Sequence, residues 1–110
     1  MTAPTPSAPT DAEIIEALRA AAAKGLNVHP RVQPDLIRLH YDIEDVSEYV
    51  SDCDISELEK HEPDDKGRSD YIAVLKIEVE DEPFPFYVKV ALDWPDMKRG
   101  KLLSFKYWGS

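Results

Sequence analysis

The sequence predicts a single α+β domain in which N-terminal helices pack on one face of a three-stranded antiparallel sheet. Apolar residues recur at helical spacing in the first half of the chain and alternate along it from Asp70 onward. The alternating segments follow one another without a helix between them, which favours antiparallel pairing. Because 110 residues correspond to about one domain, we expect a disordered tail over residues 1–10 and one α+β domain over residues 11–110.

The first helix is predicted over residues 11–24. The preceding tail is rich in proline, alanine, threonine and serine, and it has too few large apolar groups to offset the entropy lost on ordering. Thr10 and Glu13 then have the spacing of a capping box, which satisfies unpaired backbone N–H groups at a helix start. Gly25 stands where a left-handed terminator is needed, so we expect the helix to end there.

Two more helices and a loop are predicted before the sheet. Pro34 suits the first turn of a second helix that ends at His40, because the missing N–H of proline would be unpaired there anyway. Asp42 is placed to cap a third helix with an apolar stripe. A short helical turn is expected over residues 56–60, and residues 61–69 carry only the signals of a loop.

Each of the three predicted strands has one apolar face. The apolar series are Tyr71, Ala73, Leu75, Ile77 and Val79 in the first strand, Phe84, Phe86, Val88, Val90 and Leu92 in the second, and Leu103, Phe105 and Tyr107 in the third. This period of two is typical of half-buried strands. The opposite faces are expected to carry Lys76 in the first strand, Tyr87 and Lys89 in the second, and Leu102, Ser104, Lys106 and Trp108 in the third.

The polar faces of these strands form a candidate site. The side chains that share it are Lys76, Tyr87, Lys89, Ser104 and Lys106. Cross-strand neighbours lie about 4.5–5.5 Å apart, so this set can surround one anion. One interpretation is a phosphate or phosphodiester site, where lysine supplies positive charge or carries a proton. The other is an ordinary solvated face of a one-sided sheet, which normally carries lysine and tyrosine.

The charge of the chain is strongly asymmetric. Residues 1–85 contain 8 Lys and Arg against 20 Asp and Glu, whereas residues 86–110 contain 5 against 2, within a net charge of −9. Net negative charge repels nucleic acid, and salt limits electrostatic interactions to a Debye length of about 8–10 Å, so any contact with nucleic acid must be local. Residues 42–65 hold 11 carboxylates and one base, Lys60. They form either a solvated surface or one that mimics nucleic-acid phosphates or meets a basic partner.

Several function classes are excluded by what the sequence lacks. No apolar run approaches the roughly 20 residues that span a bilayer, and the N-terminus lacks the features of a secretory signal, so we expect a cytoplasmic protein without membrane partners. The single cysteine, Cys53, lies between two aspartates that disfavour a thiolate, which favours a structural role over a nucleophilic one. The three histidines lack metal-site spacing and there is no glycine-rich phosphate loop, so neither a metal nor a cofactor is predicted.

The order of four segments resembles the MqsR family of type II toxins, which are messenger-RNA interferases with a RelE-like fold. The segments are residues 39–46 (LHYDIEDV), 54–60 (DISELEK), 86–90 (FYVKV) and 103–106 (LSFK). They resemble, in turn, the family's entry into its central helix, its acidic segment ending in a lysine, its tyrosine-lysine strand and its near-terminal strand. The resemblance covers residues 31–107.

The resemblance implies a toxin-antitoxin endoribonuclease that cleaves single-stranded RNA by acid-base catalysis without a metal. Matched to the family's motifs, the catalytic residues are Lys60, Tyr87 and Lys106. The residues expected to bind the substrate are Lys76, Lys89, Ser104 and Trp108, the last by stacking on a base. A glutamine that the family uses corresponds to Ile72 here. The implied partners are a cognate antitoxin and messenger RNA, either free or on the ribosome.

A non-catalytic function stays open beside the enzyme. The acidic residues 42–65 fit a small binding protein, such as a nucleic-acid mimic, an immunity protein or an inhibitor, that acts through its acidic surface on a basic partner. The two functions differ in the surface that they need. The nuclease depends on the tyrosine and lysines of the sheet, whereas the binding protein depends on the carboxylates.

Overall fold

The computed structural model describes residues 9–64, 70–93 and 96–109 of the chain. Within these ranges the protein is α+β, as predicted, with three α-helices and a five-stranded mixed sheet. The helices are α1 (Asp11–Ala23), α2 (Gln33–Leu39) and α3 (Ile43–Ser51). The strands are β1 (Asn27–Val28), β2 (Leu58–Pro63), β3 (Asp70–Ile77), β4 (Phe86–Asp93) and β5 (Gly100–Tyr107). Short 3-10 helices over Pro30–Val32 and Ile55–Glu57 precede α2 and β2.

The helix boundaries follow the capping signals in the sequence. Thr10 Oγ1 accepts from the backbone N–H of Glu13 at 3.2 Å, and Glu13 Oε1 accepts from that of Thr10 at 3.1 Å, which completes the predicted capping box. Gly25 follows α1 with φ of 94°, in the left-handed region where glycine carries no Cβ penalty. Asp42 Oδ1 caps α3 by accepting from the N–H of Asp45 at 2.8 Å. No helix in the described ranges has the length and apolar character to cross a membrane.

Some residues that the sequence assigns to the disordered tail and to the loop before the sheet belong to the folded domain. Residues 1–8 of the tail lie outside the described residues, but Pro9 is buried and Thr10 caps α1, so both belong to the domain. Likewise, residues 65–69 of the predicted loop lie outside the described residues, whereas residues 61–63 form the end of β2.

The sheet has the strand order β1-β5-β4-β3-β2, so the prediction of a three-stranded antiparallel sheet is wrong in extent. The central strands β3, β4 and β5 are the three predicted ones and pair antiparallel. β2 adds an antiparallel edge beside β3, and β1 adds a parallel edge beside β5. Neither edge has an alternating apolar pattern, because β1 has two residues and β2 (LEKHEP) is charged, as edge strands often are.

The predicted end of the helical turn over residues 56–60 is also wrong, because the turn stops at Glu57. Only Ile55–Glu57 are helical, with Asp54 and Glu57 forming a capping box, and the chain then extends into β2. Lys60 therefore lies on a strand, paired with Val74 of β3, rather than on a helix.

The core lies between the helices and one face of the sheet. Its fully buried members include Ile14 and Leu18 of α1, Val46 and Val50 of α3, Leu75 of β3, Phe86 and Val90 of β4, and Leu102 and Phe105 of β5. The start of β5 packs closely on α1 and the residues that follow it at Gly100, where a Cβ would lie 2.8 Å from Leu26 Cδ2 and 3.2 Å from Ala21 Cβ. Glycine at the start of β5 thus permits this close packing.

A bulge in β5 corrects the predicted faces of that strand. Lys89 pairs with Ser104 and the next residue, Val90, pairs with Leu102, so Leu103 is the extra residue. Leu102 and Phe105 are the buried members, at 0% and 1% exposure, whereas Leu103 is half-buried. The expectation that Leu103 shares the apolar face and that Leu102 opposes it is wrong, because simple alternation does not survive the inserted residue.

Glu82 ties the turn between β3 and β4 to the rest of the domain. Its two carboxylate oxygens accept hydrogen bonds from the hydroxyls of Tyr41 at 2.6 Å and Tyr107 at 2.8 Å. These bonds hold the pKa of Glu82 below its usual range. Burial and the bond to Glu82 raise the pKa of Tyr41, while the bond to Glu82 and burial raise the pKa of Tyr107. The bridge therefore joins the segment before α3, the β3–β4 turn and the end of β5.

This bridge predicts an acid-dependent loss of stability. Because the folded pKa of Glu82 lies below the ordinary value of 4.5, its contribution is complete above that pH and is lost as the pH falls through the folded pKa. We expect Glu82→Gln to be less stable than wild type at about pH 7, and this deficit to be smaller at about pH 3. Urea unfolding at the two pH values measures this. Glu80→Gln, an exposed carboxylate of the same turn, is the control; an equal deficit for Glu82→Gln at both pH values would contradict the prediction.

Candidate functional site

The face of the sheet that is turned away from the helices collects the side chains predicted from the sequence. Cross-strand pairing sets Lys60, Val74, Lys89 and Ser104 in one row and Lys76, Tyr87 and Lys106 in the next. Directly paired residues of a sheet project to the same side. Trp108 joins this side just after β5, since its ring lies 5.6 Å from that of Tyr87. We call this surface the basic face.

Two aromatic rings lie between two lysines at one end of the basic face. Lys76 Nζ lies 5.2 Å from the ring centroid of Trp108, and Lys106 Nζ lies 5.1 Å from that of Tyr87. Cation–π contacts of this kind are worth about 0.5–1 kcal/mol at exposed sites. Lys76, Trp108, Tyr87 and Lys106 therefore form a continuous series in which each side chain helps to hold its neighbour.

Four of the predicted residues line a cleft at the edge of the basic face. It has a volume of about 340 Å³ and is lined by Tyr87, Lys89, Ser104 and Lys106 together with Leu103, Arg31, Val32 and Asp35. We call this the β5 cleft. Its lining offers three cationic groups and two hydroxyls that can donate hydrogen bonds to an anion. It also contains one carboxylate.

Arg31 and Asp35 reach the β5 cleft because of the parallel edge strand. β1 pairs with β5, and the backbone N–H of His29 continues the pairing by donating to the carbonyl of Leu102 at 3.1 Å. The chain then turns into the 3-10 helix and α2 beside β5. Sequence reasoning missed both residues, since no pattern in the sequence signals a two-residue parallel strand.

Lys60 shares the basic face but lies away from the β5 cleft. It is on the edge strand β2, and two strands separate it from β5, so its backbone lies about 14 Å from that of Ser104 in the same row and further from that of Lys106. Lys60 Nζ instead lies 3.9 Å from Glu62 Oε1, with both side chains about 60% exposed in solvent. The predicted catalytic residues are thus brought onto one face, but only Tyr87 and Lys106 share the cleft.

The middle of the basic face is apolar. Val74 is 2% exposed, although it faces outward between Lys60 and Lys89, and Ile72 and Ala91 in the next row are each 8% exposed. Lysine stems cover apolar surface in this way while their ammonium groups stay in water. Ile72 stands where the resemblance expects a glutamine, and its buried hydrocarbon side chain supplies no hydrogen bond there.

A second cleft at the other end of the face carries the opposite charge. It has a volume of about 330 Å³, and its lining has three carboxylates, Asp64, Asp70 and Asp93, against the two cationic side chains of Arg99 and Lys101. Asp93 Oδ1 accepts from the backbone N–H of Arg99 at 2.8 Å and so shapes the turn into β5. Among the described residues, no three His, Cys, Asp or Glu side chains converge into a group that could hold a metal ion.

Cys53 carries a buried thiol that belongs to the hydrophobic core and not to the basic face. Its exposure is 0%, and burial raises its pKa to about 11. A thiol with a raised pKa is a weak nucleophile at neutral pH. The neighbouring backbone carbonyl of Cys53 accepts a hydrogen bond from Arg19 Nε at 2.6 Å, which fastens this segment to α1.

Comparison of the chain with family models, with curated proteins and with solved structures finds no match. The resemblance to the MqsR family therefore depends on the four segments in the sequence.

Proposed function

We propose that this protein is an endoribonuclease of the messenger-RNA interferase class, which acts on single-stranded RNA as a type II toxin. The observation that carries the proposal is the β5 cleft, where Tyr87, Lys89, Ser104 and Lys106 meet at the end of a cation-aromatic series. A cleft of this size and charge suits one phosphodiester. The neighbouring rings of Tyr87 and Trp108 suit an unpaired base, because single strands bind by stacking on aromatic side chains.

The proposed reaction is attack of a ribose 2′-oxygen on the adjacent phosphorus. The O2′–P bond forms and the P–O5′ bond breaks, which leaves a 2′,3′-cyclic phosphate and a 5′-hydroxyl. Lys89 and Arg31 stabilise the charge that grows on the phosphoryl oxygens, and the Ser104 hydroxyl donates a hydrogen bond to them. Lys106 protonates the departing O5′, and the Tyr87 hydroxyl donates to it.

Residues outside the cleft are proposed to hold the flanking RNA. Lys76 and Lys60 lie on the same face at increasing distance from the cleft, so they suit neighbouring backbone phosphates rather than the reacting one. This changes the role of Lys60 from catalysis to binding. As a toxin of this class the protein would act in the cytoplasm, on messenger RNA that is either free or on the ribosome, and a cognate antitoxin would cover the basic face.

The test is controlled expression in growing cells, comparing wild type with the double variant Tyr87→Phe/Lys106→Ala. We expect wild type to arrest growth and to fragment messenger RNA, and the double variant to do neither. Lys24→Ala, an exposed lysine at the end of α1, is the matched control and should arrest growth as wild type does. Unimpaired growth with intact RNA at confirmed wild-type expression would contradict the proposal.

The second candidate is a non-catalytic acidic binding protein. It is favoured by the exposed carboxylates of α3 and the following segment, Glu44, Glu48, Asp52 and Asp54, which lie in the helical layer opposite the basic face. Such a surface attracts a basic protein partner. The discriminating variant is Glu44→Lys/Glu48→Lys: it should abolish partner capture by the binding protein but leave RNA cleavage by the nuclease intact.

A further inference from the structure

The residues of the β5 cleft that were predicted from the sequence can donate protons, but none of them is a carboxylate that could act as a general base. The lysine ammonium has only donors and the tyrosine hydroxyl can donate, so Tyr87, Lys89 and Lys106 suit the acid step and charge stabilisation. The attack on phosphorus also needs a base that removes the 2′-hydroxyl proton. Asp35 is the one carboxylate among the described residues that line this cleft.

We infer that Asp35 is the general base of the proposed cleavage reaction. Its carboxylate takes the 2′-hydroxyl proton as the O2′–P bond forms, and Lys106 gives a proton to O5′ as the P–O5′ bond breaks. One proton is accepted and one is donated, so the step balances without a further reactant. The inference rests on the proposed function and assigns to it a residue that the motif comparison does not contain.

The position of Asp35 is fixed by packing on both sides of it. Val32 and Leu36 are 1% and 2% exposed and belong to the core, so the start of α2 is held firmly beside β5. Asp35 itself is half-buried, and its Oδ1 accepts from Arg38 at 2.8 Å on the solvent side. A carboxylate has two oxygens and about four lone-pair sites, so this single contact leaves acceptor capacity for a substrate hydroxyl.

The experiment measures cleavage of a short single-stranded RNA by purified wild type, Asp35→Asn and Arg38→Gln. Asparagine keeps the shape of aspartate but cannot take the proton, so we expect a loss of about 10² to 10⁴-fold in kcat/KM. Arg38→Gln removes the ion pair and keeps the carboxylate; because exposed pairs contribute little, its activity should stay within about threefold of wild type. Equal urea midpoints for the three proteins show that the fold is retained.

A second substrate separates the base from the acid. With sulfur in place of the bridging O5′, the leaving group departs without protonation, so Lys106→Ala should regain most of its lost rate. Asp35→Asn should stay slow, because attack by the 2′-hydroxyl still needs a base. Recovery of Asp35→Asn on this substrate, or a loss below about tenfold on the ordinary one, overturns the inference while wild-type cleavage keeps the proposed function. Absence of cleavage by wild type overturns both.

Discussion

Replacing Lys106 with alanine is expected to slow the proposed RNA cleavage by about 10² to 10⁴-fold, the usual contribution of a general acid. Tyr87→Phe, which removes only the hydroxyl, is expected to cause a smaller loss. The two effects should not be additive, because Lys106 Nζ lies 5.1 Å from the Tyr87 ring and residues in contact share their contributions. Initial rates of the two single variants and the double variant, measured with a chelator present, give the coupling directly.

The control for this experiment is a lysine of equal charge outside the basic face. Lys24→Ala changes the net charge by the same amount as Lys106→Ala but lies at the end of α1. If both variants slow cleavage equally, the effect is one of overall charge. The assignment of Lys106 to the acid step then fails.

Phe86→Ala is expected to lower the free energy of unfolding by about 3–5 kcal/mol, the cost of deleting a fully buried aromatic side chain. Phe86 is 0% exposed and stacks on Phe105 at 4.6 Å and Tyr107 at 5.0 Å between ring centroids. Tyr41 meets it edge-on at 5.3 Å. A domain of this size is stable by only about 5–15 kcal/mol, so the variant should lose a large share of its stability. Urea unfolding measures the difference.

Phe84→Ala is the matched control, since it deletes the same side chain two residues earlier. The prediction that Phe84 shares the buried face of the second strand is wrong, because the residue precedes β4 and is 59% exposed. Its ring contacts that of Tyr107 at 5.9 Å between centroids. Its loss should cost no more than about 1 kcal/mol, because little apolar area is removed from water by this side chain. Similar costs for the two variants would show that the aromatic cluster does not stabilise the domain in the way its packing indicates.

The sequence was sufficient for the elements whose signals are local. Capping boxes, a terminal glycine and alternating apolar residues each act within a few residues, and they placed α1, α3 and the three central strands correctly. The shared face of Tyr87, Lys89 and Lys106 followed from alternation alone, because β4 is regular through this region and the bulge of β5 lies at Leu103.

What the sequence could not show depends on pairing between distant segments. The edge strand β2 has polar side chains on both faces, so its sequence lacks the alternating apolar pattern of a strand. The sequence therefore predicts a helical turn at Lys60 and a loop after it. The entry of Arg31 and Asp35 into the cleft depends on two residues of β1 meeting β5 more than 70 positions later in the chain. The displaced Leu103 is a bulge, which only the register of the partner strand reveals.

Because β1 pairs with β5, the β5 cleft can form only late in synthesis of the chain. One wall of the β5 cleft comes from the segment that begins at Arg31 and the other from β4 and β5. A growing chain therefore holds half a site until residues through Lys106 have left the ribosome and β5 has inserted between β4 and β1. If the cleft cleaves messenger RNA, the nascent protein is harmless to the template from which it is being translated, and its activity appears only with the finished sheet.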